Sequence, residues 1–343
     1  MNPSLPQITE DYYKGLPQAL QFFNLLPVHW DKAFRQRAEH PCLPWGKDDV
    51  AALVDWNQAV GADETALAAI GALGQGSVSM VMTGQQAGLM TSPLYCILKA
   101  AAAIKLARQL SRQHDHLVIP AFWIASEDHD FDEIRNVQWL GADGEVHRFN
   151  YEPSEEPEGQ SVFDIPVEPS LQAILKQWEE TTHPTEFRQE VLGFVEEALQ
   201  GSKNLEELFA RLLSRLFKGF GLVLVSPRLA PVRRRSLEIL RREFDNPGKS
   251  TEILLKHNAA FEQQGYGSAI HRKPGDVNAF VYHRGLRCKV RLEHDRFHLV
   301  HPKTNEQLTY LTRENLLKMA SETPERLSPN VVTRPVVQDA IFP

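Results

Sequence analysis

The chain has 343 residues, 42% of them hydrophobic, with 37 Lys and Arg against 44 Asp and Glu and a formal net charge of −7. A chain of this length can bury a large core and suits about two domains, or one domain carrying insertions. The acidic balance, without a long basic run, argues against nucleic acid or an anionic membrane as a main partner.

In chain order, the opening MNPSLPQITEDYY has neither the basic nor the apolar region of a signal peptide. Residues 1–76 read as helices punctuated by prolines at 6, 17, 27, 41 and 44. Ser77 to Met82 reads as a buried strand stopped by a turn at Thr83-Gly84. Ser92 then stands in N-cap position before Pro93, and Leu94, Ile97, Leu98, Ala101 and Ile104 follow at helical spacing. HLVIPAFWIAS is a nearly continuous apolar strand, as in a parallel sheet covered on both faces. Residues 141–170 are rich in Gly, Glu and Pro and look like an insertion, and amphipathic helices follow over residues 171–199 and 204–221. GLVLVSP is a second buried strand, running into a basic helix begun by Pro231. Residues 265–312 alternate in short pieces typical of a small antiparallel addition. No stretch is apolar for long enough to span a bilayer. Cys42, Cys96 and Cys288 have no paired spacing, which suits a reducing cytoplasm.

Two strand ends carry candidate chemistry. In MTGQQAGLMTSP, Gly84 and Gly88 would let the backbone approach a ligand, and Gln85 and Gln86 offer amides that both donate and accept. This loop lies beyond a strand's carboxyl end, where open α/β sheets place ligands. The second is IASEDHDFDEI, with five carboxylates and an imidazole between Glu127 and Glu133. Carboxylates beside a neutral His can ligate a divalent metal, or hold the His as an acid or base. Asp128, His129 and Asp130, at the strand end, are the candidates; Asp132 and Glu133 fit the favourable charge of a helix start.

Other signals are weaker. DNPGKS lacks the first Gly of a phosphate-binding loop and follows no strand, and no G-x-G-x-x-G follows a strand. The histidines of HDRFHLVH do not share one strand face. Cys96 has no neighbouring His and reads as a small buried hydrophobe. Arg233, Arg234 and Arg235 with Arg241 and Arg242 form either a phosphate-binding or a solvated helix face.

MTGQQAGLMTSPLYCILKAAAAIKLARQL, VIPAFWIASEDHDFDEI and LSPNVVTRPVVQDAIFP, in this order and at these separations, resemble the cysteine ligase family that performs the last step of bacillithiol biosynthesis. The resemblance spans nearly the whole chain. It implies an α/β fold with a Rossmann-like, nucleotidyltransferase-type core and two insertions. The N-terminal helical part would be 1–76, the core 77–140, 219–264 and 313–343, and the insertions 141–218 and 265–312. The implied reaction joins the carboxylate of L-cysteine to the amine of glucosaminyl malate, with ATP as the activating cofactor and Mg²⁺ as the candidate metal. Thr83, Gly84, Gln85, Gln86, Gly88, Ser92 and Lys99 would hold substrate or nucleotide; Asp128, His129 and Asp130 would be the catalytic group. Ser92 and Cys96 stand where the family pattern has Gly and Thr. The family also carries a coiled coil beyond the motif that closes this chain, so a C-terminally incomplete member, forming a homodimer when complete, is expected. An uncovered core strand near Val331 to Val337 would then promote self-association. The alternatives are a nucleotidyltransferase acting on another small acid and a non-catalytic nucleotide-binding fragment.

Overall fold

The computed structural model describes residues 6–343 except 24, 26–28, 39–41, 43, 77 and 269. Helices α1 (Gln7–Tyr13), α2 (Pro17–Leu20), α3 (Trp30–Ala38), α4 (Lys47–Ala59) and α5 (Glu64–Leu73) form the N-terminal part. Pro17 opens α2, where its missing N–H leaves no bond unmade. Asp63 caps α5 by accepting the Ala66 N–H. Next come β1 (Val78–Gln85), α6 (Tyr95–His114), β2 (Leu117–Ile124), the one-turn α7 (Phe131–Ile134) and a hairpin of β3 (Asn136–Leu140) and β4 (Val146–Asn150). Helices α8 (Ala173–Thr181), α9 (Arg188–Gly201) and α10 (Leu205–Leu216) lead to β5 (Val223–Val225), α11 (Ala230–Asp245) and α12 (Lys249–Gln263). The remainder is β6 (Asp276–His283), β7 (Leu286–Glu293), β8 (Arg296–Val300), β9 (Gln307–Leu311), α13 (Arg313–Glu322), β10 (Leu327–Pro329) and α14 (Arg334–Ile341).

β1, β2 and β5 make a parallel sheet in the order β1-β2-β5. Successive side chains of β2 point to opposite faces, which puts Phe122 and Ile124 against α6 and α10, and Ala121 and Trp123 against α4, α5 and α14. Both faces are therefore covered, as the unbroken apolar run of β2 requires. The free edge of β5 is closed by a side chain: buried Asn57 of α4 donates to the Leu224 carbonyl and accepts the Leu224 N–H, both at 2.9 Å. The second sheet, β10-β6-β7-β8-β9, is antiparallel and packs against α11 and α13.

Several sequence expectations change. β1 does not stop at Thr83-Gly84; it runs through Gln85, with Gly84 opposite Trp123 and Gln85 opposite Ile124. Only Val78 of β1 is fully buried. Ser92 is not an N-cap: Met90 and Thr91 take left-handed backbone angles, the Ser92-Pro93 peptide is cis, and α6 begins at Tyr95 without a side-chain cap. The buried face of α6 is Cys96, Ala100, Ala103, Ile104, Ala107 and Leu110, whereas Leu94 and Leu98 are exposed. The segment expected as a final core strand, Val331 to Val337, is a turn leading into α14. Val337, Ile341 and Phe342 pack into the core, and the Pro343 carbonyl accepts the Met80 N–H on the outer edge of β1 at 2.7 Å.

Candidate functional site

The carboxyl ends of β1 and β2 adjoin, as the sequence suggests, but the polar residues there divide into two groups. In the first, Lys99 Nζ donates to the Gly84 carbonyl at 3.3 Å and to Gln85 Oε1 at 3.0 Å, and stands 5.0 Å from the Tyr95 ring centre. Gln85 in turn donates to the Tyr95 hydroxyl at 3.0 Å. These residues satisfy one another and bind α6 to the end of β1. In the second, the Gln86 amide bridges two carboxylates, Asp128 at 2.9 Å and Glu133 at 2.8 Å.

Each of the two glycines is packed against the chain's own backbone. A Cβ on Gly84 would come within 2.7 Å of the Trp123 carbonyl oxygen, and one on Gly88 would collide with the Ser92 carbonyl. Backbone does approach closely at these positions, but the approaching backbone is β2 and the residue before Pro93. Ser92 is half-buried and Thr83 is an ordinary strand residue opposite Phe122.

Beyond β2 the chain turns through Ser126-Glu127-Asp128-His129, and each side chain meets a different element. Ser126 donates to Glu206 of α10 at 2.5 Å; burial pushes the Glu206 carboxyl up to about 7. Glu127 forms a buried ion pair with Arg233 of α11 at 2.5 Å. Burial opposes the charge of Arg233, but Glu127 and Tyr282 outweigh it and hold the guanidinium above its ordinary value. Ser161 donates to the Glu127 carbonyl and bonds the Tyr282 hydroxyl, each at 2.8 Å, while the Val162 and Phe163 N–H groups bond the carbonyls of Asp128 and Ser126. The strand end is thus bolted to three distant segments.

Asp128 and His129 are half-buried at this junction, and Asp130 is exposed. Burial alone would raise the Asp128 carboxyl, but Arg287, the Gln86 bond and His129 overcome it and hold it below the usual range. Burial, reinforced by Arg287, Lys289 and Lys303, lowers His129 to about 4 against the opposing pull of Asp128. The imidazole is therefore neutral at physiological pH. Its Nδ1, 3.9 Å from the nearer Asp128 oxygen, is buried and has no hydrogen-bond partner among the described residues, and its ring meets Phe280 edge-on at 5.8 Å. Buried polar atoms in native proteins almost always have a partner, so this nitrogen is available to take one. Asp130 lies apart: partial burial and then the charges of Glu133, Asp128 and Asp132 raise its carboxyl, and its side chain does not cap α7.

Sequence reasoning missed Arg287 and Arg334. Arg287 is buried, donates to Ser328 Oγ and the Pro329 carbonyl, and lies over the Phe280 ring at 3.8 Å. Among the described residues the Arg334 guanidinium has no hydrogen bond; burial lowers its pKa, with Asp128 and Glu127 opposing and Arg287 adding to the shift. The available signal was on β7, where Arg287, Lys289 and Arg291 recur every second residue and so share a face. The arginine cluster of α11 is used structurally: Arg234 and Arg235 pair with Asp49, Arg242 with Glu238, and Arg241 with Asp245. Ser250 of DNPGKS donates to Glu243, which fits a structural loop. Cys96 is fully buried and its thiol is pushed up to about 11, as befits a small core residue. Among the described residues, no three His, Cys, Asp or Glu side chains come together in a way that could hold a metal ion.

A parallel sheet covered on both faces, with a polar site at the carboxyl ends of adjacent strands, defines a Rossmann-like α/β protein. The family profile "Bacillithiol biosynthesis BshC, N-terminal Rossmann-like domain" matches residues 2–343, and the chain belongs to this family. It is 31% identical to "Putative cysteine ligase BshC" of Salinibacter ruber, over 99% of this chain and 61% of that protein. It is likewise 31% identical to the protein so described in Bacillus cereus strain G9842, over 99% and 62%. For the Symbiobacterium thermophilum relative the identity is 32%, over 85% of this chain and 54% of the relative. The chain spans about three fifths of the length of the curated relatives that it matches throughout. Among the described residues no helix is long and apolar enough to cross a membrane.

Proposed function

We propose that this chain is the Rossmann-like part of an ATP-dependent ligase that joins the carboxylate of L-cysteine to the amine of glucosaminyl malate, the last step of bacillithiol biosynthesis. The relatives' description as cysteine ligases supports the reaction class. The observation that carries the site is the buried Nδ1 of a neutral His129, unpartnered among the described residues, beside ionised Asp128 and two arginines.

A carboxylate and an ammonium do not condense in water, and bound ATP supplies the activation of the carboxylate. This chain's residues have the remaining tasks. The attacking amine must lose a proton and be aimed. Asp128, held ionised, can accept hydrogen bonds from the amine and aim it; neither its carboxylate nor an imidazole titrating near 4 is a strong base. His129 is instead a neutral hydrogen-bonding group that orients the amine, and Asp130, exposed, is the weakest of the three candidates. Arg287 and Arg334 fit anionic groups of the substrates or nucleotide. Lys99 would first have to leave Gly84 and Gln85. Mg²⁺ commonly binds through phosphates with only one or two carboxylates, a demand that Asp128 and Glu133, bridged by Gln86, fit. The reading includes a cytoplasmic location and a homodimer for the complete enzyme.

The test supplies cysteine, glucosaminyl malate, ATP and Mg²⁺, follows bacillithiol by mass spectrometry and identifies AMP or ADP as the co-product. Calorimetric binding of glucosaminyl malate gives a readout that needs no turnover. His129→Gln and Asp128→Asn should each weaken binding or turnover by about tenfold or more, equivalent to about 1.4 kcal/mol. Wild-type values in both variants would refute the site.

A further inference from the structure

Beside the junction just described, β6, β7 and the segment before β6 enclose a cavity of about 290 Å³. It lies near the lower end of the roughly 300–1,000 Å³ typical of small-molecule sites, so it suits a compact ligand. Its charge is one-sided. Arg272, Lys273, Lys289 and Arg291 line it against one carboxylate, Asp276, an excess of three positive charges in a chain whose net charge is −7. The concentration follows from strand geometry: Lys289 and Arg291 share the face of β7 on which period two places them, opposite Phe280 and Asp276 of β6.

The internal contacts do not use up this charge. Arg291 pairs with Asp276 at 3.5 Å, and Arg272 donates to Asn278 at 3.1 Å. Among the described residues Lys289 hydrogen-bonds only a neutral partner, Asn305 Oδ1, at 3.2 Å, and the Lys273 ammonium has none. Burial, together with Arg291 and Arg272, lowers the Lys289 pKa against the opposing pull of Asp276, as expected where cations outnumber the counter-charge.

We propose that this cavity binds a compact polyanion, a phosphoryl chain or a polycarboxylate, between Lys273, Lys289, Arg272 and Arg291. Phe280 joins it to the strand-end site, since it lines the cavity and its ring meets His129. A bound anion would thus lie next to the group that orients the amine. The inference does not rest on the ligase reading, because it is tested by binding alone.

Sodium tripolyphosphate and citrate are titrated separately into the full chain by calorimetry at fixed ionic strength, then in competition. Binding of either anion supports the site, and the stronger competitor identifies phosphoryl or carboxylate chemistry. The double variant Lys273→Ala/Lys289→Ala should weaken that binding by about tenfold or more. Lys318→Ala, which removes one exposed lysine on α13, should leave the affinity unchanged, and Lys289→Arg should retain it. Circular dichroism and melting confirm that each variant is folded. No heat from either anion with the wild-type chain, or an equal loss in the Lys318 control, would overturn the proposal.

Discussion

His129 and Glu206 flank the same strand end, yet they give stability opposite dependences on pH. Burial and Arg287 hold His129 near 4, below its ordinary 6.5. Between those values the unfolded chain binds more protons, so the stability due to this group is complete above about 6.5 and is lost as pH falls towards 4. For a side chain only 17% exposed, the shift corresponds to on the order of 3 kcal/mol. His129→Gln should flatten the acid limb of the melting curve while leaving Tm at pH 8 nearly unchanged; an acid limb as steep as wild type would remove the imidazole from this account. Glu206 runs the other way. Burial raises it from 4.5 to about 7, so its contribution is complete below 4.5 and lost as pH rises through 7. Glu206→Gln keeps the shape and the Ser126 contact but carries no charge, and should raise Tm at pH 8 while leaving it unaltered at pH 4. An equal Tm at pH 8 would show that water or a cation relieves the buried charge.

Among the elements, β1 shows what a glycine in a sequence can conceal. Gly84 reads locally as a turn, but it continues the strand because the Trp123 carbonyl occupies the space of a side chain. Gly84→Val should therefore destabilise the fold, in contrast to a change that only removes ligand binding. Forcing a side chain into a packed site costs about 1–3 kcal/mol, and even Gly84→Ala should lower Tm measurably. A Gly84→Ala protein that melts like wild type would return this residue to the ligand-binding role. β2, α10, α11 and the strands β6 to β9 were legible because their apolar residues recur with a clear period. α6 was legible as a helix but not as to its face: Ala100, Ala103 and Ala107 bury as completely as leucines, so hydrophobicity gave little contrast. Asp128 and His129 could be found because they end an apolar strand, whereas Arg287 and Arg334 reach them from elements far along the chain. Their arrival depends on how the second sheet docks, which no local pattern encodes.

For the whole molecule, the question is which surface drives association. The segment near Val331 to Val337, expected from the sequence as an uncovered strand, is a weak candidate, because α14 packs its apolar side against the sheet and the Pro343 carbonyl bonds the Met80 N–H on the edge of β1. The better candidate follows from the reversed face of α6. Leu94 is 70% exposed, Leu98 61% and Tyr95 45%, and Ala101 and Ala102 extend the apolar stripe along the same helix. Contiguous exposed apolar surface promotes association or dye binding. The opposing force, repulsion between chains of net charge −7, is screened beyond about 8 Å at physiological ionic strength. The chain should therefore self-associate at physiological salt, less readily in dilute buffer, and bind a dye that reports apolar surface. Leu94→Glu/Leu98→Glu should abolish both without lowering Tm, since neither side chain contributes to the core. Sedimentation of the wild-type chain as a dye-negative monomer at physiological salt would show that the stripe is too small to act alone, and association persisting in the double variant would move the contact to another face.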